Sequence, residues 1–271
     1  MSDAAAVSLL PSGRIIAVAS GKGGVGKTWL SITLSQALSR LGLQVLLVDA
    51  DLGLANVDVQ LGLQPERDLH AVLTGKLTLR QAVSRHAEGG FDVLAGRSGS
   101  GALAAMSPDR VEQVNTLMRD SAAFWDVVIL DLGAGLAPPT RRLAASADIL
   151  LVVATDEPTS LTDAYAVLKL HATDKPGGDA RLVVNQAADA AQGSRTAATL
   201  QRACATFLGR EIPLSGVVRR DERVRDTIRR QTLLLTRYPN SNAAADVEAL
   251  AAGLRLQTAF SMLPQSKREA V

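Results

Sequence analysis

Between residues 21 and 28 the chain reads Gly21-Lys22-Gly23-Gly24-Val25-Gly26-Lys27-Thr28, four glycines interleaved with two lysines and closed by a threonine. Glycines let the backbone curl so that successive N–H groups point inward, making a concave nest for anionic oxygens. A helix starting directly after the run adds positive potential at the same place. Lys27 is then placed to reach the outer phosphates of a nucleoside triphosphate, and the Thr28 hydroxyl to ligate Mg2+. A loop of this kind does not require Lys22. Carboxylates suited to metal and water follow at Asp49 and Asp51, after an apolar run ending at Val48, and at Asp131, after Val127-Val128-Ile129-Leu130. Asp49 and Asp51 are expected on opposite sides of their strand and in different roles. Gly133-Ala134-Gly135, just beyond Asp131, supplies backbone that can order around a terminal phosphate and relax without it.

Such residues must be held at the carboxyl ends of buried parallel strands, where α/β sheets place their ligands. Short β-rich runs occur at 14–19, 44–48, 127–130, 149–154, 182–184 and 213–218. Between the first two, Leu30, Leu34, Ala37, Leu38 and Leu41 recur at helical spacing, and Gly42 stands where a helix would stop. Val111 to Met118 and Leu161 to Leu170 read as further crossover helices. The expected fold class is therefore α/β, a single-domain P-loop NTPase with a mostly parallel, doubly wound sheet and helices on both faces. Residues 1–13 are expected to be a mobile N-terminal segment, 14–263 the ATPase domain with its C-terminal helices, and 264–271 a polar tail.

Composition narrows the classes. The 271 residues are 47% hydrophobic and 21% charged with a net charge of +2, ordinary for a globular chain and neutral on a polyanion partner. A single cysteine, Cys204, excludes an internal disulfide framework and reads as a buried helical thiol. No apolar run approaches the roughly 18 residues that would cross a bilayer. The first residues lack the basic start and apolar stretch of a secretory signal, so the expected compartment is the cytoplasm.

The GKGGxGK[ST] loop with its extra lysine resembles the deviant Walker A ATPases of the MinD/ParA family. That resemblance implies ATP and Mg2+ as ligands, a homodimer formed with ATP, and weak hydrolysis. It implies that Lys22 reaches the phosphates of a partner subunit, that Asp51 positions the attacking water, that Asp49 supports the magnesium shell, and that Asp131 holds metal-bound water beside Thr28. Gly133 and Gly135 are implied as switch residues, and Glu157 as lying near the dimer-bound nucleotide. Asn185, after Val183-Val184, is similar to a residue that holds adenine, with turn capping the lesser use of such an amide. No guanine-reading Asn-Lys-x-Asp follows it, which favours ATP over GTP. Gly216 to Asp221 resembles the loop under the base, with Arg219 where proline is usual.

Within the family, one cysteine sets aside iron–sulfur members, and two distant tyrosines set aside the tyrosine kinases. The segments 49–58, 157–165 and 238–241 look like the flagellar-regulator branch, FlhG or FleN. This implies control of flagellar number or placement, with a transcription factor, a flagellar switch protein or an FlhF-like GTPase as partner. Residues 1–13 show nothing like the activating helix of that branch. A stripe of Val247, Leu250, Ala251 and Leu254 reads as packing against the body, with peripheral contact at the inner membrane the lesser use. From 219 to 237 seven arginines face three acids, a local +4. Arg219, Arg223 and Arg230 are expected on one helical face, either merely solvated or meeting nonspecific DNA or an acidic protein. A ParA-like partition ATPase and an ATP-dependent small-molecule ligase or kinase are the alternatives.

Overall fold

A computed structural model describes residues 13–261 apart from 52, 54, 65–66 and 97–106, and of residues 256–261 only the backbone. The expected mobile N-terminal segment, Gly13 excepted, and the polar tail lie outside the described residues. Eight strands form one sheet: β1 (Arg14–Ala19), β2 (Val45–Ala50), β3 (Ser84–His86), β4 (Phe91–Leu94), β5 (Val127–Leu132), β6 (Ile149–Ala154), β7 (Asp179–Ala187) and β8 (Leu214–Arg219). Their order is β3-β4-β2-β5-β1-β6-β7-β8, and every neighbouring pair is parallel except β3 with β4. The helices are α1 (Lys27–Arg40), α2 (Val57–Leu61), α3 (Leu69–Leu73), α4 (Leu79–Ala82), α5 (Pro108–Ser121), α6 (Pro138–Ser146), α7 (Pro158–Asp174), α8 (Ala190–Leu208), α9 (Glu222–Arg230), α10 (Leu234–Arg237) and α11 (Asn242–Ser261).

Strand alternation sorts the interior into two cores. Ile15, Ala17 and Ala19 of β1 point to the face covered by α5, α6, α7 and α8, while Ile16 and Val18 point to the face covered by α1 and α11. Because β1 sits between β5 and β6, it is buried on both faces, as its unbroken apolar run requires. Helix α1 is enclosed from Lys27 to Leu38, apart from Thr28. The stripe Val247, Leu250, Ala251 and Leu254 packs in the same core against α1 and β8, so these four side chains are body, not a membrane face. Cys204 is buried on α8 as expected.

The sheet holds two strands more than the sequence runs indicate. Strand β3 is Ser-Arg-His, with no apolar signal, and β4 is only four residues long. Strands β2 and β5 run on through Asp49 and Asp131, and β7 is nine residues where three carried the signal.

Candidate nucleotide-binding site

The glycine loop joins β1 to α1 at the carboxyl edge of the central strand. Gly24 and Gly26 have φ of +81° and +91°, the left-handed region that glycine alone adopts at low cost. A Cβ on Gly26 would stand 2.5 Å from the Asn185 amide nitrogen, and one on Gly21 would strike the Asp163 backbone of α7. Gly23 lies exposed at the loop tip, and Val25 is buried beneath it.

Lys27, on the first turn of α1, is buried, and desolvation lowers its pKa against the opposing pull of Asp131 and Asp51. Asp131 is buried and its pKa is pushed up to about 6, chiefly by desolvation; bonds from Thr28 and Ser31 and the charge of Lys27 work the other way. Ser31 Oγ donates to Asp131 Oδ1 at 3.0 Å. Thr28 and Ser31 are three apart and so share a helix face, which aims both hydroxyls at this carboxylate. The hydroxyl and carboxylate oxygens of Thr28 and Asp131 form a hard-oxygen donor pair that suits Mg2+, a cation that draws its other ligands from phosphate and water.

Asp49 and Asp51 are corrected in two respects. Residues two apart on a strand share a face, and both carboxylates act electrostatically on Asp131 rather than pointing apart. Asp49 is also engaged with backbone. Its Oδ1 accepts from Asp51 N at 3.1 Å, and its Oδ2 accepts from Asn56 N and Val57 N, both at 2.9 Å. It thereby clamps the start of α2 to the end of β2. Burial first, then the charge of Asp131, pushes its pKa up to about 7. Asp51 is half-buried and accepts from Gly53 N at 3.2 Å, and a Cβ on Gly133 would lie 3.1 Å from its Oδ1. The Gly133 loop thus borders Asp51, while Gly135, at φ +97°, donates its N–H to Ser20 O at 2.9 Å.

Lys22 lies at the surface. Its ammonium donates to Glu157 Oε2 at 2.5 Å and to Thr159 Oγ1 at 3.1 Å, at the start of α7. The bond from Lys22 holds the Glu157 carboxyl below its ordinary range. Glu157 is therefore a partner for Lys22 within one chain.

The base end differs from expectation. Asn185 is buried, its Nδ2 donates to Val25 O at 2.8 Å, and its Oδ1 accepts from Gln186 N at 2.9 Å. Its amide holds the phosphate loop and caps its own turn, and one N–H and one lone pair of the same amide stay open to a ligand. Gln186, at φ +59°, adds a second tether through Nε2 to Gly24 O at 3.2 Å. Arg219 ends strand β8 and does not belong to a helix. Its guanidinium pairs with Asp246, and its backbone N–H bonds the same carboxylate. The expected face of Arg219, Arg223 and Arg230 therefore does not form. Instead Arg223 pairs with Asp221, Arg225 with Glu222, and Arg230 and Arg237 with Asp226. A cleft of about 250 Å3 remains beyond the loop, between Trp29, Gln186 and the 219–228 segment.

The CobQ/CobB/MinD/ParA nucleotide binding domain matches residues 16–235. The chain belongs to this family. It is 37% identical over 238 residues to the antiactivator FleN of Pseudomonas aeruginosa, covering 88% of this chain and 85% of that protein. It is 27% identical over 257 residues to the flagellum site-determining protein YlxH of Helicobacter pylori, with 93% and 86% covered. The septum site-determining protein MinD of Pyrococcus horikoshii OT3, solved with Mg-ADP, superposes with a TM-score of 0.74 at 25% identity, over 89% of this chain and 96% of that one. A CobQ/CobB/MinD/ParA chain with this loop is a P-loop ATPase that uses ATP and Mg2+.

Ser31, Gln186 and Trp29 were not singled out as site residues from sequence. For Ser31 a signal existed, its position one helical turn after Thr28. Gln186 carries none, since its role follows from a left-handed turn that no motif announces.

Proposed function

We propose that this chain is an ATP-driven dimerisation switch of the FlhG (FleN) kind that sets flagellar number or placement. The observation that carries it is the Lys22 side chain, set at the surface beside a complete phosphate loop and not needed within that loop. The names of FleN and YlxH supply the flagellar assignment. Protein partners follow from it: a transcription factor, a switch protein or an FlhF-like GTPase. The site of action on this reading is the cytoplasm, with peripheral contact at the inner membrane the lesser alternative, and among the described residues no helix is long and apolar enough to cross one. The working unit is taken as 14–263.

Lys27 neutralises the outer phosphates from within the nest, and the loop N–H groups of 23–28 orient them. Thr28 and Asp131 would hold Mg2+, which would supply charge neutralisation for the phosphates. Asp51, facing the Gly133 loop, orients a water for attack. Lys22 leaves Glu157 and crosses to the partner's phosphates, as a cation supplied in trans. Hydrolysis removes the phosphate that favours the dimer, and the two copies part.

Light scattering with ATP and Mg2+, alongside phosphate release, tests these roles together. Lys27→Ala is expected to lose nucleotide binding. Lys22→Ala is expected to bind ATP as a monomer. Asp51→Ala is expected to accumulate a long-lived dimer with little phosphate released. A Lys22→Ala protein that dimerises like the parent, or an Asp51→Ala protein with parental turnover, would overturn the corresponding role.

The DNA reading loses ground. Five of the seven arginines between 219 and 237 have a carboxylate partner within the chain.

A further inference from the structure

In the middle of α1, Ser31, Thr33 and Ser35 are each at most 1% exposed. A hydroxyl enclosed within a helix ordinarily returns its proton to the carbonyl four residues back. Thr33 does so on Trp29 O at 2.8 Å, and Ser35 on Ser31 O at 2.7 Å. Ser31 does not. Its Oγ leaves the helix and donates across to β5, to Asp131 Oδ1 at 3.0 Å.

The carboxyl that receives this bond is one whose direction matters. Asp131 is 1% exposed and stands beside Asp49 in the register of β5 with β2. The charges of Asp49 and Asp51 act against its own. A carboxyl group turns about two single bonds, and like charges nearby act to swing it. A bond to one oxygen from a packed helix removes that freedom. A carboxylate offers about four lone-pair sites, so the bonds from Ser31 and Thr28 leave room for a cation or for water that the cation carries.

We propose that Ser31 is a positioning residue for magnesium, holding Asp131 by Oδ1 so that the rest of the carboxylate faces the cation beside Thr28. The inference rests on reading Thr28 and Asp131 as magnesium ligands and adds the residue that aims one of them. Ser31 acts only through Asp131. Groups that hydrogen-bond a metal-ligating side chain change metal affinity by about 10- to 100-fold when removed.

The affinity of the full chain for ADP, measured by calorimetry across a range of Mg2+ concentrations and again in EDTA, tests it. Ser31→Ala is expected to keep the EDTA affinity within about 2-fold, while the Mg2+ concentration giving half of the metal-dependent gain rises about 10-fold. Ser35→Ala removes a hydroxyl equally buried in the same helix but spent on backbone, and its Mg2+ dependence should match the parent's. Asp131→Asn should lose most of the gain. A parental Mg2+ midpoint in Ser31→Ala, with Asp131→Asn impaired, would overturn the role of Ser31 and leave the ligand reading standing. An equal shift in Ser35→Ala, or a loss of ADP affinity in Ser31→Ala as large in EDTA as in Mg2+, would assign the effect to helix packing and overturn it too. Parental behaviour of Asp131→Asn would overturn the ligand reading, and the role of Ser31 with it.

Discussion

At the scale of single residues, the phosphate loop is held from outside by an amide that sequence reasoning left open between base and turn. The Asn185 bond to Val25 O is buried, and a net contribution of about 1 kcal/mol is usual for such a bond. Asn185→Ala is therefore expected to weaken ATP and tripolyphosphate binding about equally, by about 5-fold, as measured by calorimetry. A loss confined to ATP would return Asn185 to the base. Gly26→Ala acts on the same contact from the other side. At φ +91° a Cβ is strained, and it would meet the Asn185 amide at 2.5 Å. Nucleotide binding should fall below detection while the far-ultraviolet circular dichroism of the fold persists. The glycines, both lysines, Thr28 and Asp131 were legible because each is a residue type whose chemistry depends on position in one short motif. The Asp49 clamp was not, since its partners are backbone N–H groups up to eight residues on, which no pattern of side chains marks.

At the scale of elements, β8 and α11 are bound by charge. Arg219, at the end of β8, lies across α11 and meets Asp246 in two contacts at 2.8 and 2.9 Å. Truncation leaves Asp246 with the Arg219 backbone N–H but without its cation, so Arg219→Ala should destabilise by about 1–2 kcal/mol in urea unfolding. The same pairing bears on nucleic acid. Retention of the parent on DNA should be weak, with a log–log salt slope of magnitude about 2 or less. A slope of about 6 or more, abolished by Arg220→Glu with Arg229→Glu, would favour the partition reading instead. Helix α7 carries a titrating group in its interior. His171 is buried, neither ring nitrogen has a partner among the described residues, and desolvation, with Lys175 and Arg210 adding to it and Asp174 opposing, lowers its pKa to about 4. As pH falls the unfolded chain takes up this proton first. The stability it underwrites is complete above about 6.5 and is lost progressively toward 4, a full shift worth about 3 kcal/mol. His171→Leu should flatten the decline of urea midpoints between pH 7 and 4.5, and an unchanged decline would refute that assignment.

At the scale of the molecule, the parallel sheet was legible because its inner strands are buried on both faces and must be written in continuous apolar runs. Strand β3 escaped notice for the converse reason, since an edge strand meets water and needs no such run, and β4, though buried, is only four residues long. The stripe of α11 was read correctly as body because its apolar residues recur at helical spacing, and they pack against α1 and β8. The helix assumed to carry Arg219 failed because a four-residue spacing does not distinguish a helix from a strand end followed by a turn. That outer strand has a further consequence. A sheet that ends in open hydrogen-bonding groups is a template on which copies stack into insoluble ribbons. Here one rim is three residues long, antiparallel to its neighbour, and written Ser84-Arg85-His86, with Arg85 charged and largely exposed. Growth in that direction would have to strip water from a charge for very few new bonds. A chain proposed to pair reversibly with its own copy is thereby defended against meeting it edge to edge without limit.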